Sequence, residues 1–317
     1  MKLFLIVILL ICSTESVHHY DAKQAFKMAI LSATAYSNDS QTCLDNAYGE
    51  GTWTNVKQTS IYVPDYPKFF DTVSAYIGVS HSEKAVLWAF RGTNNIVQLV
   101  NQGFGILVKD VPFPTGGNVE EYWYVAYNIL YKYFIKDFMQ YVNNNPTYAV
   151  WITGHSLGAA MASQAAAVVA ASSTSIKDRV VYYSFGQPRV GDFEYASNHN
   201  KLVNNSFRVV HYNDIVVQIP PCDVSLTEGE CDTSGPYHQG TEIFYYEDNM
   251  PITAPYKVCL GPPLNEDYYC SDNPSVWSVC ILELYNCIQS HTHYFNVELG
   301  SFESKLNCKI PSNDLMF

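Results

Sequence analysis

Five residues, Gly154-His155-Ser156-Leu157-Gly158, stand directly after the apolar run Tyr148 to Ile152 and directly before an alanine-rich helical stretch. A strand must therefore turn into a helix within this pentapeptide. Backbone crowds so sharp a turn, and only small residues two positions either side of the serine escape a clash. The helix that starts here points its first N–H groups, which have no acceptor within the helix, towards the serine. A developing oxyanion can use such donors. Strand, turn and helix together predict a nucleophilic Ser156, and with it the chemistry of a serine hydrolase.

The rest of the chain repeats the alternation. Strands are predicted at Val73 to Val79, Ala85 to Phe90, Tyr148 to Thr153, Val180 to Phe185 and Phe207 to Tyr212, with one more from Tyr237 to Tyr246. Helices are predicted from Ala25 to Tyr36 (stopped by Asn38-Asp39-Ser40), from Glu120 to Val142, from Leu157 to Ser172, and near Phe193 to Asn198. Asn128, Lys132, Lys136 and Gln140 form a single polar stripe on the second of these, which predicts a largely buried helix. Nearly continuous apolar strands alternating with helices predict an α/β fold, with a mostly parallel central sheet and helices on both faces. The end of the chain reads as loop-rich. No internal repeat or linker interrupts the 317 residues, so one domain is expected.

Met1-Lys2 and the apolar run Leu3 to Cys12 read as a secretory leader, with cleavage expected just after Ser16 and a single domain over residues 17–317. Ten apolar residues fall well short of the ~20 needed to span a bilayer. Loss of the leader removes Cys12 and leaves eight cysteines, seven of them beyond residue 221. An even count in a secreted chain predicts disulfides. Close spacing suggests Cys222 with Cys231, Cys259 with Cys270 and Cys280 with Cys287, leaving Cys43 for Cys308. Asn38 and Asn204 begin glycosylation sequons. Neither a Cys-x-x-Cys pair nor a His-Glu-x-x-His helix is present, so no metal or organic cofactor is expected. A formal net charge of −12 disfavours nucleic acid and anionic surfaces as partners.

A serine hydroxyl needs a base to take its proton and a third group to hold that base. Asp214 follows the strand that ends at Tyr212, which delivers it to the C-terminal edge of the sheet. Its rival Asp192 opens a short helix and suits an N-cap. The base is expected last in the chain, where the chemistry alone leaves His291 and His293 open. His238 and His211 read as structural, and His155 as part of the turn, pointing away from the serine.

These residues carry a resemblance. Phe90-Arg91-Gly92-Thr93, Gly154 to Gly158, Phe185-Gly186-Gln187-Pro188-Arg189-Val190-Gly191-Asp192, His211-Tyr212-Asn213-Asp214-Ile215-Val216 with Pro220-Pro221, Tyr237-His238-Gln239-Gly240-Thr241-Glu242-Ile243 and His291-Thr292-His293-Tyr294-Phe295 follow one another in order over roughly residues 60–300. The chain resembles the class 3 (fungal-type) lipases of the α/β-hydrolase superfamily, in a secreted animal-type form with a cysteine-rich C-terminal segment. The family pattern His-x-x-Tyr-Phe implies His291 as the base, and Asp214 as the acid. It implies oxyanion donors at Thr93 and at the N–H of Leu157, and a link between Cys43 and Cys308. It also implies a lid over Asn94 to Gly105, where Ile96, Leu99, Val100 and Phe104 fall on one helical face. Two features depart from the family: Val217 stands where proline is usual, and the segment from Pro221 to Ser290 is longer than in fungal members.

The function these features imply is a secreted carboxylic ester hydrolase, first of all a triacylglycerol lipase. It would act without a cofactor on a lipid or ester substrate, at or near a lipid–water interface. Phospholipase A1 and soluble-ester esterase share the same triad. Outside the enzymes stands a non-catalytic lipid-binding homologue, against which every catalytic position carries a competent residue.

Overall fold

Eight strands form the central sheet, in the order β1-β2-β3-β6-β7-β9-β11-β12. They are β1 (Thr54–Tyr62), β2 (Thr72–Ser80), β3 (Ala85–Phe90), β6 (Ala149–His155), β7 (Val180–Phe185), β9 (Asn205–His211), β11 (Thr241–Tyr245) and β12 (Lys257–Val258). The computed structural model describes residues 19–63, 72–93, 109–223, 231–261, 265–273 and 275–311. From β3 to β11 neighbouring strands run parallel, while β1, β2 and β12 pair antiparallel at the two edges. A smaller antiparallel sheet is made by β4 (Asp110–Pro112), β5 (Asn118–Glu120), β8 (Gly191–Asp192) and β10 (Pro236–Tyr237). A last ribbon pairs β13 (His293–Tyr294) with β14 (Val297–Glu298).

Successive side chains of a strand point to opposite faces, and here both faces are buried. Val86, Trp88 and Phe90 of β3 join Val150 and Ile152 of β6 in one core, against helices α3 (Glu121–Asn144) and α4 (Leu157–Ala171). Ala85, Leu87, Ala89 and Trp151 join the opposite core, against α1 (Ala22–Thr34) and α2 (Ser40–Tyr48). The expected sheet covered by helices on both faces is present. The remaining α-helices among the described residues are α5 (Thr174–Lys177), α6 (Phe193–Leu202), α7 (Ser275–Leu282), α8 (Leu284–Thr292) and α9 (Phe302–Leu306).

Several local expectations need correction. Asp39 does more than stop α1: its carboxylate accepts from Thr42 N (3.2 Å) and caps α2. The stretch Tyr237 to Tyr246 is not one strand. Gly240, at φ 74°, breaks it, so β10 joins the small sheet and β11 pairs parallel to β9. Helix α3 is amphipathic rather than largely buried. It covers Trp123, Leu130, Phe134 and Phe138 but leaves Lys132, Tyr133, Lys136 and Gln140 in water. The loop-rich end contains α7 and α8. The leader and the segment Asn94 to Gly105, with Ile96, Leu99, Val100 and Phe104, lie outside the described residues.

All four disulfides pair as spacing suggested: Cys43–Cys308, Cys222–Cys231, Cys259–Cys270 and Cys280–Cys287. The first ties α2 to the chain's end and the other three staple the cysteine-rich segment.

Candidate active site

Ser156 sits between β6 and α4 at φ 60° and ψ −131°, a backbone conformation that L-residues rarely adopt. Its N–H donates to Phe185 O (2.9 Å), and Ala159 N donates to its carbonyl (2.9 Å), so the neighbouring strand and the first helical turn both hold the strained residue. The flanking glycines are required by contact. A methyl on Gly154 would strike the backbone of Gly158, and one on Gly158 would strike Phe90 O of β3. The pentapeptide is the crossing point of two strands and a helix, which is why the turn reads so clearly in sequence.

Asp214 and His291 meet against Gly186, the residue after the Phe185 carbonyl that accepts from Ser156 N. His291 Nδ1 lies 2.9 Å from each carboxylate oxygen of Asp214, and both side chains are buried. Gly186 makes room for the pair: a Cβ there would stand 2.7 Å from both Asp214 Oδ2 and His291 Nδ1. Two further donors reach the carboxylate, Tyr294 OH to Oδ2 (2.6 Å) and Val216 N to Oδ1 (2.8 Å). Burial alone would raise the Asp214 pKa. The His291 charge and these hydrogen bonds outweigh it and hold the carboxyl below its ordinary value. Of the polar side-chain atoms of Ser156, Asp214 and His291, Ser156 Oγ and His291 Nε2 are buried without a hydrogen-bond partner in the protein.

The structure separates the two C-terminal histidines. His293 is half-exposed, its Nδ1 near Gln289 O (3.1 Å) and Thr292 Oγ1 (3.0 Å) and its Nε2 3.8 Å from Glu298. Asp192 caps α6 through Tyr195 N (2.8 Å) and also accepts from Asn118 N (3.0 Å). His211 is buried between Ser290 O (3.0 Å) and Asp248 O (2.9 Å). His238 is buried against Glu266 (3.0 Å). Thr93 lines a cavity of about 570 Å³ together with His291, Arg91, Tyr36, His155 and Glu298. Leu157 opens α4 directly after the serine, where its N–H belongs to the uncapped first turn.

Four residues to which sequence reasoning assigned no supporting role, His155, Tyr36, Tyr294 and Arg189, buttress the site. His155, read as part of the turn, reaches the base: its Nε2 is 2.8 Å from His291 O. Burial, and next the charge of His291, push its pKa down to about 3, so the ring is neutral. A carbonyl acceptor at Nε2 then requires the proton there, and Nδ1 accepts from Tyr36 OH at 2.7 Å. Tyr36, His155 and Tyr294 thus hold the backbone of His291 and the carboxylate of Asp214. Tyr294 and His155 lie inside the quoted motifs, while Tyr36 is brought in from α1's end with no local signal. Arg189, also in a motif, is buried and donates to Gln218 O (3.0 Å) and Pro220 O (3.1 Å) while pairing with Glu266 (3.0 Å) and Asp272 (2.8 Å). It anchors the loop after Asp214 to the cysteine-rich segment.

Two clusters among the described residues have a metal-like grouping, the buried Glu242 with Cys259 and Cys270, and the half-buried Cys231 with Glu266 and Asp272. Their cysteines are locked in disulfides and offer no thiolate, and Arg208 and Arg189 already occupy the carboxylates.

Residues 87–224 match the family profile described as Lipase (class 3). A lipase of Caenorhabditis elegans is 31% identical over 295 residues, covering 89% of this chain and 81% of that protein. The chain belongs to the class 3 lipases. It is a serine carboxylic ester hydrolase of the α/β-hydrolase fold. The secreted mono- and diacylglycerol lipase A of Penicillium cyclopium is 32% identical over 153 residues, 46% of this chain and 47% of that enzyme. Among solved structures, a lipase from Rhizopus microsporus var. chinensis superposes with a TM-score of 0.68 at 23% identity, covering 88% of each chain. Among the described residues of this lipase, no helix is long and apolar enough to cross a membrane.

Proposed function

We propose that this lipase hydrolyses triacylglycerol through Ser156, His291 and Asp214. His291 Nε2 takes the Ser156 proton as Oγ attacks the ester carbonyl, and Asp214 holds the ring at Nδ1 and balances the imidazolium. The tetrahedral oxyanion is received by Thr93 and by the N–H of Leu157. His291 then passes its proton to the departing glycerol oxygen, leaving an acyl-enzyme. Water, deprotonated by the same base, releases the fatty acid and restores the serine.

The observation that carries this reading is the pair of unpartnered buried atoms, Ser156 Oγ and His291 Nε2, beside an aspartate already committed to the ring's other nitrogen. Leaving a buried polar atom without a partner is costly, and at a serine and a histidine whose ring is already held by a carboxylate the proton transfer between them is a reason to bear that cost. An acylglycerol substrate is supported by the Penicillium relative, a mono- and diacylglycerol lipase. Secretion is supported by the apolar leader Met1 to Ser16, the four disulfides and the secreted relatives. The purified protein assayed on triolein emulsion, phosphatidylcholine and a soluble nitrophenyl ester tests the reading. Fatty acid release from triolein that vanishes in Ser156→Ala is the expected result. Turnover confined to the soluble ester would make the protein an esterase, and turnover confined to phosphatidylcholine a phospholipase.

A further inference from the structure

Helices α7 and α8 form a hairpin closed by the Cys280–Cys287 disulfide. Its tip displays Ile281, Leu282 and Tyr285 at 78%, 86% and 72% exposure, although large apolar side chains are ordinarily buried. Over residues 275–292 the only acidic or basic side chain besides the buried His291 is Glu283. Both arms are fixed to the active site: α8 runs into His291, and Cys280 Sγ of α7 lies 3.5 Å from Asn213 O, next to Asp214. At ~1.5 Å per helical residue, Tyr285 stands roughly 9 Å along α8 from His291.

We propose that this tip is a lipid-docking surface, taking an uncharged or zwitterionic lipid–water interface and setting the catalytic groups against it. The inference rests on the lipid-ester reading above. A rigid, nearly uncharged apolar tip costs little to take out of water, whereas a charged one resists it. The charge of the whole chain, −12, selects the partner further, because it repels anionic lipid. A disulfide across the base keeps the tip presented when no lipid is there to cover it.

The test uses Ser156→Ala protein, so that binding is read without turnover, with and without Ile281→Ser, Leu282→Ser and Tyr285→Ser together. Partition onto triolein droplets coated with phosphatidylcholine is measured by flotation. The triple substitution is expected to weaken partition at least about tenfold. With Ser156 restored, soluble nitrophenyl ester turnover is expected to stay within about twofold, reading the triad independently of the surface. Unchanged partition overturns the proposal, as does a wild-type dimer that the triple substitution converts to monomer. If the triple variant loses its fold, Leu282→Trp decides: quenching of the new tryptophan by brominated phosphatidylcholine supports docking, and its absence overturns it. Replacing a third of the coating with phosphatidylserine is expected to weaken binding, and tighter binding would contradict the charge argument. A wild-type protein that docks but hydrolyses no ester would sink the lipase mechanism and leave this surface standing.

Discussion

Replacing His199 with leucine should stabilise the protein, and by more in acid than at neutrality. His199 is fully buried in α6 between the rings of Tyr182 and Tyr195, and neither ring nitrogen has a partner in the protein. Burial pushes its pKa down to about 3, against about 6.5 in an unfolded chain. Between those values the unfolded chain holds a proton here that the folded chain does not, so stability is lost as pH falls below about 6.5. From pH 6.5 to 5 the loss is 1.5 units at ~1.36 kcal/mol each, about 2 kcal/mol. Leucine, close in volume and a better helix former, removes both the titration and two unsatisfied polar atoms, for a gain of about 1 kcal/mol at pH 7. Urea unfolding of wild type and His199→Leu at pH 7, 6 and 5 reads the difference directly, and other titrating groups cancel in it. The expected gap widens from about 1 to about 3 kcal/mol. A gap independent of pH would refute the argument, and a destabilised variant at pH 5 would reverse it.

His291→Ala should lower turnover of a soluble ester by several orders of magnitude, up to about a millionfold, while His293→Ala stays within about threefold; kcat of the two variants decides, and equal losses would remove the Asp214 contact as the discriminating feature. Cys43–Cys308 encloses a sequence separation of 265, for which chain entropy gives on the order of 5 kcal/mol, against roughly 2–3 kcal/mol for the separation of 9 at Cys222–Cys231. Paired Cys→Ser substitutions should therefore lower the urea midpoint in that order, and the opposite order would contradict it. Burial, aided by Asp110, pushes the Glu120 carboxyl up to about 8, so the folded chain holds its proton while an unfolded one releases it near 4.5. That contribution is lost as pH rises from about 4.5 to 8; Glu120→Gln should raise stability by about 4 kcal/mol more at pH 8 than at pH 4.5, as read by urea unfolding at the two pH values.

The parts of this fold that sequence revealed are those whose chemistry is local. The elbow is such a part, because Gly154 and Gly158 answer clashes with backbone a few residues away or on the adjoining strand. Asp192 as an N-cap and the three short disulfides are others, since their partners lie within a dozen residues. Asp214 was legible because a strand end dictates where the next residues go. The misses share a different cause. β1 alternates half-buried and exposed residues at a sheet edge, with polar Thr54, Asn55, Lys57 and Gln58 concealing it. α7 carries no amphipathic stripe that a water-facing helix should show, because its end exposes the apolar Ile281 and Leu282. Tyr36 acts on His155 across 119 residues, a contact that only the folded sheet creates. Choosing His291 over His293 needed either the family pattern or the 2.9 Å contact with Asp214.

The central claim is that Ser156 is the nucleophile of an acyl-enzyme, and a fluorophosphonate probe addresses it most directly. Intact-mass analysis after incubation should show one adduct, peptide mapping should place it on Ser156, and Ser156→Ala should take up none while keeping its fold. Asp214→Asn should slow labelling by orders of magnitude, roughly the ~10⁴-fold scale of losing the group that orients a catalytic histidine. An adduct on another residue, or labelling that survives Ser156→Ala, would contradict the account.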